Sequence, residues 1–432
     1  MASDVLLERP GQRVQKVRRQ RGLSQAQLGA PELSDSYVSL IESGKRNPSS
    51  AVLELLAEKL DCSLSYLLDG VTPEQIMQIE DGLRHARQVL EAGEVVEARA
   101  RYATLLGDDA LLGLPQLRQK VELGLAAALQ ACGEVDEAIA LLVEVRERNA
   151  PMSAERYVEA TRLLSRCYRQ RGDLFDAVRV AEQVLTDDFR SAWSNGLLFL
   201  GAELLAAYTE RGDLVRGSQF CAELLAAAER LAIAPALVRV YREAALVALE
   251  SGRGTEALAH IERALTVQPD GDTPSRRWRL RGDYVQVLMT VSPAQIKERR
   301  EMLASWEVEL AEGSSIPVAD VVRFAMNMAR LELLLGRPAR AAERIEKIIT
   351  AEDVPEDLRA EVHLLAGQTM AELGRRQNAL HEVTAAAEQL EQAPATRRTA
   401  RGWLTIARVL ERIDEPAQSV AAYRRALVCV GV

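Results

Sequence analysis

Aromatic residues are scarce in this chain: 4% of 432 residues, as five Phe, four Trp and nine Tyr. Alanine and leucine dominate instead, a composition that favours helix over sheet. Cysteine is also sparse. Cys62, Cys132, Cys167, Cys221 and Cys429 stand far apart with no C-x-x-C, which excludes a disulfide framework and leaves reduced structural thiols. The four histidines, His85, His260, His363 and His381, never lie three or four residues from one another, so neither a metal site nor a cofactor is expected. No run of 18 apolar residues occurs, and the start MASDVLLERPGQRV carries acids and no apolar segment before a cleavage site. Both point to a cytoplasmic protein without membrane spans or signal peptide. The G-x-x-x-x-G-K-[ST], H-E-x-x-H and G-x-S-x-G signatures are missing too, which argues against an enzyme.

What the chain does have is length and an uneven charge. A single core stops growing near ~250–300 residues, so the chain splits into domains or extends as a repeat array. The net charge is −9. Residues 1–70 hold nine Lys and Arg against nine Asp and Glu, and the remainder holds 45 against 54. The whole deficit therefore lies C-terminal to residue 70, while six of the nine N-terminal cations crowd between Arg9 and Arg21. If DNA is bound, the N-terminal seventy residues bind it, because the acidic remainder repels a polyanion.

Between Pro10 and Gly70 the sequence predicts five short helices. Pro10 and Gly11 open the first and Gly22 ends it. Ser24 caps a second, QAQLGA, and Ser34 a third, DSYVSLIES, which Gly44 terminates. A fourth runs from about Ser50 to Leu60, and a fifth, LSYLL, follows Ser63 and closes at Asp69-Gly70. Val14, Val17, Leu23, Leu28, Val38, Ile41, Leu53, Leu56 and Leu60 give each of the first four an apolar face and predict a small shared core.

The run LSQAQL…LSDSYVSLIESGKRNPS resembles the Cro/lambda-repressor-type helix-turn-helix of the Xre family. It joins the Leu-Ser-Gln helix start, the Ser-x-Ser-Tyr-x-Ser-x-Ile-Glu helix and the Gly-Lys-Arg-x-Pro exit in order, over residues 9–70. The turn departs from the pattern: Ala30-Pro31-Glu32-Leu33-Ser34 stands, one residue shorter, for the usual turn with Gly-Val-Ser, which bears on the docking angle. The resemblance implies that Asp35, Ser36 and Leu40 face bases, and that Gln25, Ser34, Tyr37, Ser39, Lys45, Arg46 and Asn47 hold the DNA backbone. The chemistry agrees. Small polar residues leading a helix fit the major groove, Asp35 can accept from a cytosine amino group and Leu40 can meet a thymine methyl. Arg13, Lys16 and Arg19 add candidate phosphate contacts. The plainer alternative makes Ser34 only a cap, Tyr37 and Ile41 only core, the basic run a solvated face, and Glu42 structural.

After Pro73 a pattern repeats. A Gly is followed at +5 by a small residue, at +9 by a larger or apolar one and at +12 by an apolar or small one. The turns are Gly93, Gly133, Gly172, Gly212, Gly252, Gly336, Gly374 and, with aspartate, Asp414, at intervals of 40, 39, 40, 40, 84, 38 and 40 residues. The 84 hides a degenerate copy at Val291, Ile296, Arg300 and Leu303, so nine helical hairpins are predicted. A small residue also stands seven before most turns (Ala86, Ala126, Ser165, Ala245, Ala329, Gly367, Ala407), with Leu205 the departure; small residues let paired helices approach closely. These offsets resemble the tetratricopeptide repeat. The resemblance implies an all-α chain: a five-helix domain over 1–70, then a right-handed superhelix of about nine hairpins over 71–432 that serves as a sensor and dimerisation domain.

First-helix positions 13, 10, 9 and 6 before each turn give the expected inner face: Arg162, Arg166, Arg239, Arg242, Trp278, Arg281, Arg323, Asn327, Arg330 and Gln368, continued by Arg401 and Arg408. The arginines suit an anionic or carboxylate-bearing ligand, and Asn327 a peptide backbone. Alternatively the arginines pair with neighbours such as Glu159, Glu203 and Glu243, and Trp278 is hairpin core. The combined architecture resembles the RRNPP peptide-sensing regulators. That implies a quorum-sensing, bacterial transcription regulator, nucleoid-associated when bound to DNA: a homodimer on an inverted-repeat operator whose repeat groove takes a peptide or a protein partner. The competing class is a tetratricopeptide interaction scaffold with no DNA-binding role.

Overall fold

The computed structural model describes residues 8–148, 152–186, 192–296, 298–312, 316–350 and 354–430, and holds no strand among them. The chain forms two compact units, the first ending at Arg156 and the second beginning at Tyr157.

Five short helices open the first unit: α1 (Pro10–Gln20), α2 (Gln25–Gly29), α3 (Asp35–Glu42), α4 (Ser50–Lys59) and α5 (Leu64–Asp69). Serine starts four of them. The hydroxyls of Ser24, Ser34, Ser49 and Ser63 accept from the amides of Gln27, Tyr37, Val52 and Tyr66, each bond worth about 1 kcal/mol. The core unites Val14, Val17, Leu28, Val38, Ile41, Leu53, Leu56, Leu60 and Leu67, with Leu23 packed at its edge. Gly11 sets how closely α1 crosses the end of α3: a Cβ there would stand 1.9 Å from the Ile41 carbonyl oxygen.

Two hairpins complete this unit, α6 (Pro73–Glu91) with α7 (Val95–Leu106) and α8 (Pro115–Ala131) with α9 (Val135–Glu147). Packing does not stop at residue 70. Val71 is buried, and a Cβ on Gly113, in the 3-10 turn 109–113, would lie 2.0 Å from the Asp69 carbonyl oxygen.

The second unit holds seven more hairpins. The third to fifth are α10 (Ala154–Arg171) with α11 (Leu174–Val184), α12 (Asn195–Arg211) with α13 (Leu214–Leu231), and α14 (Ala234–Glu250) with α15 (Gly254–Val267). The sixth to ninth are α16 (Pro274–Val291) with α17 (Arg300–Glu312), α18 (Val318–Leu334) with α19 (Pro338–Ile349), α20 (Glu356–Glu372) with α21 (Arg376–Gln392), and α22 (Arg397–Arg412) with α23 (Pro416–Val428). Nine hairpins are thus present among the described residues.

Each predicted turn residue, Asp414 included, has positive φ, from 60° to 93°. Glycine is favoured there because a Cβ crowds the following carbonyl. The degenerate sixth turn lacks this device: Ser292 has φ −141°, a 3-10 stretch Pro293–Ile296 intervenes, and Ile296 and Leu303 still reach the core. The small residues at +5 are buried throughout, from Ala98 to Ser419. In the fourth hairpin, Leu205 replaces the small residue before the turn, and +5 is Gly217.

Candidate nucleic-acid interface and repeat-unit charge network

Helix α3 divides cleanly by burial. Val38, Ile41 and Glu42 turn inward, while Asp35, Ser36, Ser39 and Leu40 are exposed and Tyr37 is half-buried. Ser34 is a cap, as its bond to the Tyr37 amide shows, but it too is exposed. Asp35 Oδ1 accepts from the Ser36 amide at 2.8 Å and from its hydroxyl at 3.3 Å, so the two form one polar tip. Beyond α3, the amides of Lys45 and Arg46 both donate to the Leu40 carbonyl, which folds the exit back on the helix. Arg46 then lies 4.8 Å over the Tyr37 ring, and Lys45 and Asn47 are open to solvent.

One buried acid positions this surface. Glu42 accepts from Arg18 through two bonds of 2.5 and 2.8 Å and from Gln25 Nε2 at 2.8 Å. Burial alone would raise its carboxyl, but Arg18, Gln25 and Gln15 hold it below the ordinary value. Glu42 therefore fastens α3 to α1 and aims Gln25 at the start of α2. The short turn between α2 and α3 is held by Lys59 of α4, whose ammonium donates to the Ala30 carbonyl at 2.6 Å and pairs with Glu32.

The basic run on α1 splits. Lys16 and Arg19 are exposed. Arg13 is not available to phosphate, contrary to expectation: it is buried, with Nε donating to the Leu67 carbonyl at 3.0 Å and its other nitrogens to the carbonyls of Leu68 and Glu8. It closes the C-terminus of α5, where carbonyls lack helical partners.

In the repeat unit the expected inner-face arginines meet carboxylates. Glu203, buried on α12, accepts from Arg166 at 3.1 Å, Arg169 at 2.6 Å and Arg239 at 3.0 Å. Burial would raise its carboxyl; Arg166, Arg239 and Arg169 hold it well below the usual range. Arg239 itself is pulled down to about 10, chiefly by burial. Arg239 and Arg242 share Glu243, and Arg242 also pairs with Asp283. Arg162 pairs within its helix with Glu159 at 2.6 Å. Arginine–carboxylate links thus run from α10 through α12 and α14 to α16. They continue as Arg279 to Asp320 on α18, Arg330 to Glu361 on α20, and Arg398 on α22 to Glu361.

Three further expectations change. Trp278 is core, edge-to-face with Phe324 at 5.0 Å, and offers no platform to a ligand. Asn327 donates to the Gly282 carbonyl at 2.9 Å and accepts from Arg330 at 3.0 Å, so its amide joins α18 to α16 instead of awaiting a peptide. Arg281 lies between Trp278 and Trp306, at 4.7 and 5.0 Å, and donates to Glu309. Arg323 stands 3.6 Å from Asp320, Gln368 is half-buried, and Arg408 is exposed. Glu203 and Glu243 are the partners weighed above for these arginines, and the missed acids are Asp283, Asp320 and Glu361, although the first left a signal: the position nine before the turn reads Glu203, Glu243, Asp283 and Asn327 when the degenerate turn is placed at 292. Among the described residues no group of three or more His, Cys, Asp or Glu could hold a metal, and no helix is long and apolar enough to cross a membrane.

The fold and this surface define a helix-turn-helix protein with tetratricopeptide-like hairpins. Residues 14–67 match the helix-turn-helix family HTH_3, and the N-terminal domain is of the Xre type. Among solved structures the chain is similar to PlcR of Bacillus thuringiensis in complex with the peptide PapR7 and DNA, at 16% identity over 60% of this chain and 94% of that one, TM-score 0.40. It is similar to a Rap protein complexed with competence and sporulation factor, at 10% identity over 82% and 98%, TM-score 0.49. A tetratricopeptide repeat protein from Parabacteroides merdae shows 13% identity over 68% and 99%, TM-score 0.43. No curated protein matches the chain in sequence.

Proposed function

We propose that the chain is a sequence-specific, DNA-binding transcriptional regulator whose repeats sense a ligand. The observation that carries this is the exposed row of α3, polar Asp35, Ser36 and Ser39 with apolar Leu40, with Lys45, Arg46 and Asn47 at its exit, on a helix fixed from behind by Glu42 and Arg18. Side chains leading a rigid helix read base edges, and cations at its exit hold phosphates. Gln25, Ser34, Tyr37, Lys16 and Arg19 complete the backbone contacts in this reading, and Arg13 is withdrawn from it.

One such domain reads few base pairs, so the operative form is a homodimer on an inverted repeat, with residues 1–70 on DNA and 71–432 serving sensing and dimerisation. The ligand is a peptide or other anion, or an acidic face of a protein partner. It acts by exchange: its carboxylate takes over guanidinium groups such as those of Arg166, Arg239 and Arg242, whose partners Glu203, Glu243 and Asp283 link successive hairpins. A change in those links changes repeat geometry and so the population of DNA-competent dimers. Selection from random duplex DNA at fixed salt tests the reading. Enrichment of a two-fold symmetric site supports it; no enriched sequence across a salt series contradicts it.

A further inference from the structure

A stack of hairpins needs only nearest-neighbour contacts to be stable. The second unit makes others. The segment that leads into α22 and the first turn of that helix lie against the third, fourth and fifth hairpins, at positions 151 or more residues earlier in the chain. At the turn of the third, a Cβ on Gly172 would stand 2.8 Å from Pro394 Cβ and 3.2 Å from Thr396 Cγ2. At the turn of the fourth, a Cβ on Gly212 would stand 2.5 Å from Arg397 Nη1. In the fifth, Glu250 at the end of α14 pairs with Arg401.

These contacts are particular to this place. The turn glycines Gly133, Gly252, Gly336 and Gly374 face open space. The touching segment is itself braced: the Thr396 hydroxyl caps α22 at the Thr399 amide, and the Thr399 hydroxyl donates to the Pro394 carbonyl at 2.6 Å. At Gly172 glycine therefore meets two demands, a left-handed turn and a surface bare enough for Pro394 and Thr396 to lie on, while at Gly212 the neighbour is the flexible end of Arg397.

We propose that this seam is a latch. Closed, α22 spans the ends of three consecutive hairpins and fixes the repeat unit in one curvature; open, those hairpins flex independently. Its ion pair is half in water, with the Arg401 side chain 59% exposed and Glu250 23%, so salt screens it more than it screens the buried pairs around Glu203. The latch also reaches the charge network, because α14, which Glu250 ends, carries Arg239, Arg242 and Glu243. The inference does not depend on which ligand the repeats take, or on DNA binding.

Hydrogen exchange on the full chain tests it, comparing wild type with Glu250→Arg, Arg401→Glu and the double swap. Each single reversal is expected to speed exchange about threefold, the scale of one exposed ion pair, together in 394–401 and around the turns at 172 and 212. The swap restores wild-type rates, and raising salt on the wild type reproduces the single variants. Helices α18 and α19 serve as the internal reference. Unchanged exchange in the single variants, a rise in one stretch without the others, or no restoration in the swap overturns the latch. Should a reversal raise exchange in the reference helices as well, the wild-type salt series decides, because it alters no residue: a joint rise in the three stretches supports the latch, and its absence overturns it.

Discussion

Glu42 shows how a single side chain ties the candidate interface to its scaffold. It is buried, bonded twice to Arg18, and is the partner that orients Gln25. Replacing it with alanine leaves the Arg18 guanidinium buried without a counter-charge, a loss of about 3 kcal/mol for broken pairs of this kind. For Glu42→Ala we expect a lowered midpoint of denaturation for the N-terminal helices and weaker DNA binding, both read on the full chain; Gln20→Ala, an exposed change at the end of α1, should leave both unchanged. At this scale the sequence is readable where chemistry is local. The serine caps follow from a hydroxyl three residues before an amide. The direction of a cation is not local: Arg13 turns inward because α5, more than fifty residues away, ends with its carbonyls beside it.

The hairpins were readable from their turns, since a left-handed residue every 40 or so positions is a backbone requirement that leaves glycine in the sequence. The sixth turn escaped the pattern because its Ser292 uses another conformation, and the chain inserts a 3-10 stretch to make the reversal. Between hairpins, the arginines and their partners Glu203 and Glu243 were visible, but Asp283, Asp320 and Glu361 were not singled out, as a carboxylate on a helix reads as solvated surface until the facing helix is known. The Glu203 cluster gives this level its test. Its folded pKa lies below the unfolded value, so it contributes stability above the ordinary carboxylate range, near pH 4.3, and that contribution is lost as pH falls from there toward the folded value. Urea denaturation from pH 7 to pH 3 should show Glu203→Gln less stable than wild type at pH 7, with the gap closing below about pH 4. A gap independent of pH would show that the charge of Glu203 contributes nothing beyond its packing.

Over the whole molecule, the proposed division of labour rests on charge and surface chemistry. The N-terminal seventy residues are electrically balanced and display one exposed polar helix face, while the acidic remainder builds helices whose arginines are matched by carboxylates. Fold class and hairpin number were legible because periodicity reports them. The packing across residue 70, where Gly113 lies on the end of α5, was not, because close contact between a 3-10 turn and a helix terminus leaves no periodic trace. The central claim is that α3 and its exit read DNA. The most direct measurement is the affinity of the full chain for its best selected duplex, wild type against Ser36→Ala/Ser39→Ala/Lys45→Ala. All three side chains are exposed and none holds the core, so the variant should fold as wild type does. The account predicts a loss of about a hundredfold with a shallower salt dependence. Unchanged affinity in a folded variant would contradict it and would leave the repeat unit as the working part of the protein.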